Sequence, residues 1–232
     1  MKIGVISDIH GNIDALTQVL HKAKREKVEH LLVLGDIVGY YYHPDKILNL
    51  LSRWSFNIIK GNHEKILEDV IADSALGETI RLKYGSGHQE AIHKLTKEQL
   101  DYLKDLPETK SVQFNDTCLL MCHGSPWSID YYIYPNCKKE IILKCDSKEH
   151  DFVLIGHSHY AFAIQNEHSI LINPGSVGQS RQAGGKASWC IINTENKCFQ
   201  MLTTDYNTNK LLSEVAEKDP EIKYLTEVLK RN

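Results

Sequence analysis

Five apolar stretches of this chain each run into side chains that hold metals or move protons. Residues 2–7 (KIGVIS) lead to Asp8 and His10, 31–34 (LLVL) to Asp36, and 57–60 (NIIK) to Asn62 and His63. Residues 118–122 (CLLMC) lead to His123, and 152–155 (FVLI) to His157 and His159. A buried strand has no need of a titratable group at its carboxyl end. Singly, each has a bland explanation, since Asp8 or Asn62 can cap a helix and His123 can sit in a turn. Together they gather carboxylate, imidazole and amide donors where open α/β sheets bind ligands. That mixture suits divalent manganese, iron, zinc, cobalt or nickel. One ion rarely takes seven such ligands. Two ions sharing a carboxylate can use Asp8, His10, Asp36, Asn62, His123, His157 and His159. Asp8 and His10 are two residues apart, as are His157 and His159, so on extended backbone both members of a pair point the same way.

Charge then selects the ligand. Two divalent ions bring four positive charges, two aspartates remove two, and a bridging hydroxide removes one more. The net positive centre attracts an anionic oxygen ester and supplies its own nucleophile, because metal-bound water loses a proton near neutral pH. An ion separation of about 3.5–4 Å lets both ions hold one phosphoryl group.

The elements that must carry these residues are legible from hydrophobic pattern. The five runs, with a sixth at 169–172 (SILI) ending in Asn173-Pro174-Gly175, read as strands buried on both faces. Between the first strands, Ile13, Leu16, Leu20 and Ala23 recur at helical spacing behind Asn12 as N-cap. A second helix follows Pro44 over 45–51. A third, over 96–106, opens with Thr96 and Gln99 in a capping-box arrangement and stops before Pro107. This alternation predicts parallel strands joined by crossover helices. Strands are expected at 161–164, 169–172, 187–192 and 198–203, the last two joined by a turn at 193–196, with closing helices at 210–217 and 221–230. The expected organisation is one domain over 1–232, with a helical insertion at about 64–106.

Composition narrows the function. Lys and Arg number 27 against 30 Asp and Glu, a net charge of −3, so bulk charge does not favour an extended nucleic-acid duplex. No apolar run reaches membrane-spanning length and no leader pattern opens the chain, which predicts a cytoplasmic protein without a membrane partner. The six cysteines contain no CxxC pair and read as reduced thiols.

The blocks Asp8-Ile9-His10-Gly11, Gly35-Asp36, Gly61-Asn62-His63-Glu64, His123-Gly124 and Gly156-His157-Ser158-His159 resemble, in order, those of the calcineurin-like metallophosphoesterase superfamily. Asn173-Pro174-Gly175-Ser176-Val177-Gly178 extends the likeness to a branch of small bacterial phosphoesterases. The resemblance implies a four-layer α/β/β/α sandwich of two mixed sheets. It implies that Asp8, His10 and His159 hold one metal, that Asn62, His123 and His157 hold the other, and that Asp36 bridges them. His63 would ligate neither metal and would serve the leaving-group oxygen as the catalytic acid or hydrogen-bond donor. Ser/Thr protein phosphatases and symmetrical dinucleoside tetraphosphatases, also similar around Asp36, carry further Asp or Arg residues three or four positions later. Here those positions are Gly39 and Tyr40, so an orienting partner for the catalytic histidine and a phosphate-gripping arginine are missing. Glu64 is left either to orient His63 or to favour a helix start.

Two aromatic loops flank the expected site: Tyr40, Tyr41 and Tyr42 after Asp36, and Trp127, Tyr131, Tyr132 and Tyr134 after His123. They read either as stacking platforms for a base or aryl group, with Tyr40 and Trp127 as candidates, or as a packed lid or self-contact. Arg181 can fork onto a phosphate or stand solvated in its loop. His21, His30, His43, His88, His93, His150 and His168 lack the glycine or acidic context and read as surface or core residues. The expected activity is hydrolysis of a small phosphodiester or nucleotide by a metal-bridging hydroxide, with two divalent ions, manganese foremost. Phosphomonoesterase, protein phosphatase-like and dinucleoside tetraphosphatase-like activities are the alternatives, and the oligomeric state is left open. A non-catalytic binding scaffold is the non-enzyme alternative, and it is disfavoured because every metal histidine is kept.

Overall fold

The fold was obtained as a computed structural model that describes residues 1–231. Two mixed sheets stack face to face. The first contains β1 (Lys2–Ile6), β2 (His30–Val33), β3 (Phe56–Ile58), β9 (Lys186–Asn193) and β10 (Cys198–Asp205), in the order β10-β9-β1-β2-β3. β1, β2 and β3 are parallel, joined by α1 (Ile13–Arg25) and α2 (Pro44–Leu51), as strand–helix alternation requires. β9 and β10 return antiparallel. The second sheet contains β4 (Thr109–Phe114), β5 (Thr117–Cys122), β6 (Phe152–Leu154), β7 (Ala161–Gln165) and β8 (Ile170–Pro174), in the order β4-β5-β6-β8-β7.

Strand alternation assigns every apolar side chain to a layer. Ile3, Val5, Leu32, Leu34, Leu119, Met121, Phe152, Leu154 and Ile172 meet between the sheets. The intervening Ile6, Leu31 and Val33 face outward from the first sheet onto Leu16, Val19 and Leu51 of the crossover helices. Cys122, Val153, Ile155 and Leu171 face outward from the second sheet onto Ile142 of α7 (Lys139–Leu143). Each sheet is thus an inner layer, which is why the sequence runs are apolar without alternation. The result is the expected α/β/β/α sandwich.

Residues 62–104 form four helices: α3 (Asn62–Ala72), α4 (Leu76–Tyr84), α5 (Gly87–Lys94) and α6 (Lys97–Lys104). Thr96 and Gln99 form the anticipated capping box, and the Asn12 side chain caps α1 by accepting from Ala15 N at 3.0 Å. The sequence pattern did not anticipate β4. Its residues are exposed or half-buried, because it is an edge strand whose polar TKSVQF carries no apolar run. No helix among the described residues is long and apolar enough to cross a membrane.

The chain closes with α8 (Asn209–Lys218) and α9 (Lys223–Leu229), which brace the loop that follows Asp36. Tyr41 and Tyr42 are fully buried, so two of the three tyrosines that could have formed a stacking platform are core residues. The Tyr41 hydroxyl donates to Leu225 O at 3.1 Å and the Tyr42 hydroxyl to Asp219 Oδ2 at 3.0 Å. Asp219 is fully buried and the same oxygen accepts from Ser86 N and Ser86 Oγ, tying α4 and α5 to the C-terminal helices. Replacing Asp219 with Ala strands these donors, so we expect Asp219→Ala to lose roughly 3 kcal/mol of unfolding free energy in a urea titration.

Candidate metal centre

The carboxyl ends of β1, β2, β3, β5 and β6 open at one seam between the sheets, and the loops that leave them turn back at once. Asp8 (φ 54°), His10 (φ 50°), Asp36 (φ 54°), His157 (φ 63°) and His159 (φ 60°) all have left-handed backbone. This differs from the extended pairs expected from spacing: Asp8 and His10 converge because the chain coils there, and His157 and His159 do the same. Left-handed residues other than glycine cost about 1–2 kcal/mol each, so the surroundings must enforce the shape. The loops after β1 and β2 do so by bonding to each other, through Asp8 N to Gly35 O (3.2 Å), His10 N to Asp36 O (2.9 Å) and Gly11 N to Ile37 O (2.9 Å). Glu64, buried in the first turn of α3, accepts from Asp36 N and Gly61 N through Oε2 (both 2.8 Å). Its Oε1 accepts from Ile37 N (2.9 Å) and Val38 N (3.3 Å). Glu64 therefore caps its helix and clamps the Asp36 loop, and the orienting of His63 falls to another residue.

The side chains converge tightly. His159 Nε2 lies 3.1 Å from His10 Nε2 and 3.2 Å from Asp8 Oδ1. Asp36 Oδ2 lies 3.6 Å from His10 Nε2 and 3.3 Å from His123 Nε2, and His123 Nε2 is 3.0 Å from Asn62 Oδ1. Two acid–histidine groups share no member, Asp8 with His10 and His159, and Asp36 with His123 and His157, and a third, Asp36 with His10 and His63, spans them, each with its ligand atoms within 4.8 Å of one another. The Nδ1 atoms of His10, His123 and His159 lie 3.0, 2.7 and 2.8 Å from the carbonyls of Val38, Leu34 and Gln179. Donation to those carbonyls leaves the Nε2 of His10 and His159 with a lone pair toward the seam, and that of His123 once it gives up its second proton. Asp8 Oδ1 and His157 Nε2 are buried without any hydrogen-bond partner. So many inward lone pairs in a buried space match divalent cations, and the donors of both groups suit them.

Other predicted residues sit around this seam. His63 is buried, its ring edge-on to His10 (centroids 4.8 Å), with a nitrogen within 4.8 Å of ligand atoms of His10 and Asp36. Tyr40 packs against both His10 (4.7 Å) and His63 (4.8 Å). Arg181 is half-buried, its backbone N reaching His159 O at 3.5 Å, and its guanidinium lies 5.9 Å from the centroid of the Tyr132 ring. Trp127 packs instead on Tyr131 (5.3 Å) and beneath Lys144 (4.7 Å). The aromatic that reaches the centre from that loop is Tyr132, stacked on His157 at 3.8 Å. His88, beside His63, and Tyr224, from α9, were not signalled as site residues by any motif.

The profile of the calcineurin-like phosphoesterase superfamily domain matches residues 1–197, and the chain belongs to that superfamily. It is 28% identical over 233 residues to the MJ0912 protein of Methanocaldococcus jannaschii, covering 93% of this chain and 92% of that one. It is 23% identical over 213 residues to phosphodiesterase MJ0936 of the same organism, covering 88% and 100%. The crystal structure of the PH1004 protein of Pyrococcus horikoshii shares the fold with a TM-score of 0.84 at 20% identity, over 99% of this chain and 98% of that one. Superfamily membership and the two acid–histidine groups together make the chain a metal-dependent phosphoesterase in general terms.

Electrostatics divides the histidines. Burial, reinforced by neighbouring histidine charge, pulls His10 and His157 down to about 4, so both are neutral at physiological pH. Burial also works against charge on His123, but the Asp36 carboxylate prevails and raises it to about 10. Burial likewise opposes the charge of Asp36, yet His123 and His63 hold its carboxyl well below the usual range. The metal-free centre therefore keeps a proton on His123 below about pH 10, and a cation must displace it. We expect manganese binding at pH 7.5 to release on the order of one proton and to tighten as pH rises from 6 to 8. Calorimetry in buffers of different ionisation enthalpy reads this directly, and a buffer-independent enthalpy would contradict it.

Proposed function

We propose that this chain is a dinuclear phosphohydrolase acting on small phosphodiesters or nucleotides. The observation that carries the reading is the position of Asp36 Oδ2, between His10 of one group and His123 of the other, 3.6 and 3.3 Å from their Nε2 atoms. Asp8, His10 and His159 would hold one ion, and Asn62, His123 and His157 the other, with Asp36 shared by both. When bound, such a pair of divalent ions, manganese foremost, generates the nucleophile from water and neutralises the phosphoryl oxygens.

The chain's own residues do the rest. The backbone carbonyls of Val38, Leu34 and Gln179 keep three imidazoles in register. His63 hydrogen-bonds the leaving oxygen as its bond to phosphorus breaks. Arg181 offers a guanidinium fork to a phosphate oxygen, and the Tyr132 ring lies beside it. Trp127 and Tyr131 are exposed on the loop that carries Tyr132, where a longer leaving group would meet them. A net charge of −3 supports a small anion in preference to a nucleic-acid duplex. The similarity to phosphodiesterase MJ0936 supports the same preference.

Chelation should abolish hydrolysis of a bis-aryl phosphodiester and manganese should restore it; apo protein that no divalent ion revives would end this reading. His63→Gln should lower kcat by about 10²-fold or more while metal content stays unchanged. A scaffold without catalysis would be indifferent to that change. A panel of cyclic nucleotides, dinucleoside polyphosphates, phosphomonoesters and phosphopeptides decides the substrate class.

A further inference from the structure

His63 has a partner that no sequence motif announced. His88, in the first turn of α5, is 1% exposed, and its Nε2 lies 3.3 Å from His63 Nδ1. The two rings are within 10° of parallel with centroids 5.1 Å apart, and a ring N–H of one points at a nitrogen of the other. The contact is therefore edge to edge, along a hydrogen bond. Two glycines make it possible. A Cβ on Gly39 would overlap His63 Nδ1, and a Cβ on Gly87 would stand 2.7 Å from Gly39 C and Tyr40 N. Bare backbone at 39 gives the His63 ring its seat, and bare backbone at 87 lets α5 approach closely enough for His88 to reach it.

The direction of this bond follows from the far side of His88. Its Nδ1 is buried and has no hydrogen-bond partner. Were His63 the donor, the one remaining proton of His88 would sit on that Nδ1 with no acceptor. With His88 as donor, only an unused lone pair remains there. Buried donors without acceptors are rarer and costlier than under-used acceptors. The proton of the pair therefore lies on His88 Nε2, and the proton of His63 lies on its own Nε2.

We infer that His88 is a positioning residue for His63, donating from Nε2–H to His63 Nδ1 and so presenting His63 to the substrate as a neutral hydrogen-bond donor. The inference rests on the phosphohydrolase reading above. Its consequence is chemical. A carboxylate partner would favour imidazolium, whereas a second neutral imidazole does not, so His63 shares its proton and does not give it up. In the hydrolysis a water oxygen bonds to phosphorus and releases its proton to solvent. The bond from phosphorus to the leaving oxygen breaks with its electron pair on that oxygen, which departs as an anion hydrogen-bonded to His63 and then takes a proton from water. Such a site favours substrates with weakly basic leaving oxygens, aryl esters or the phosphate termini of nucleotide anhydrides, over simple alkyl esters.

The test pairs His88→Leu with His88→Gln, whose amide N–H can reach the same atom. On manganese-loaded protein and a series of substituted-phenyl phosphodiesters, His88→Leu should lower kcat by about 10–100-fold, most for the more basic phenols, with KM and metal content unchanged. His88→Gln should recover most of that loss. Long-range proton–nitrogen NMR of the metal-free protein should show the Nε2–H tautomer of His63 in the wild type and in His88→Gln, and a mixture in His88→Leu. A wild-type spectrum with His63 protonated on Nδ1 overturns the inference, as does an equal loss across all leaving groups. If the leucine variant does not fold, the wild-type spectrum and the glutamine variant still decide. If the wild type hydrolyses no ester, the phosphohydrolase reading fails, and the tautomer spectrum judges the histidine pair on its own.

Discussion

Mutual repulsion of lone pairs in a buried seam is the constraint around which this molecule is organised. Asp8 Oδ1, Asp36 Oδ2 and the Nε2 atoms of His10 and His159 each lie within 4 Å of another of the set, in a space almost closed to water. Such atoms do not assemble of their own accord, because burial amplifies their repulsion and removes the water that would relieve it. They stay together because each is anchored from behind. Three imidazoles are tied to backbone carbonyls, Asp36 Oδ1 accepts from His63 N at 2.8 Å, and Asp8 Oδ2 accepts from His157 N at 3.1 Å. A cation is the natural complement of atoms held in this way.

The anchoring requires backbone that resists its own preferences. Five of the residues at the centre lie in left-handed conformation, and Tyr40 beside them does too (φ 58°). Strain of this kind persists when packing over-determines the loops, and here two stacked sheets supply that packing. Glu64 is central to it. One carboxylate receives four backbone N–H groups from two loops, so the first turn of α3 and the Asp36 turn behave as a single unit. Burial and the nearby Asp36 charge raise the pKa of Glu64 to about 7, while the bonds from Asp36 N and Gly61 N pull it down.

Around this core, elements distant in the chain supply what the substrate would meet. Tyr84 comes from α4 and packs on His63 at 4.8 Å, His88 comes from α5, and Tyr224 comes from α9 and lies 6.2 Å from Tyr40. α9 lies beyond the stretch that the superfamily profile matches. Tyr84 and His88 lie within that stretch, so Tyr224 is the one of these three that the profile does not reach.

Asp8, His10, Asp36, Asn62, His63, His123, His157 and His159 were legible in the sequence because each ends an apolar run, and strand ends gather wherever strands lie parallel. That the strands are covered on both faces was legible for a related reason, since such strands leave long apolar runs, whereas the four-layer arrangement was implied by the resemblance to the superfamily. An edge strand leaves no such run, and β4 went unseen. His88 and Tyr224 carry no local mark, Glu64 looked like an ordinary helix start, and Tyr132 could not be told from Trp127 on the same loop. Backbone hand was hidden as well: Asp8 and His10 converge by coiling left-handed, where spacing alone suggested an extended pair. Local pattern determined which side chains meet at the sheet edge, because hydrophobic burial acts residue by residue along the chain. Tertiary structure decided which way they face and what stands behind them, because hydrogen bonds between loops and between helices depend on distances that no stretch of sequence encodes.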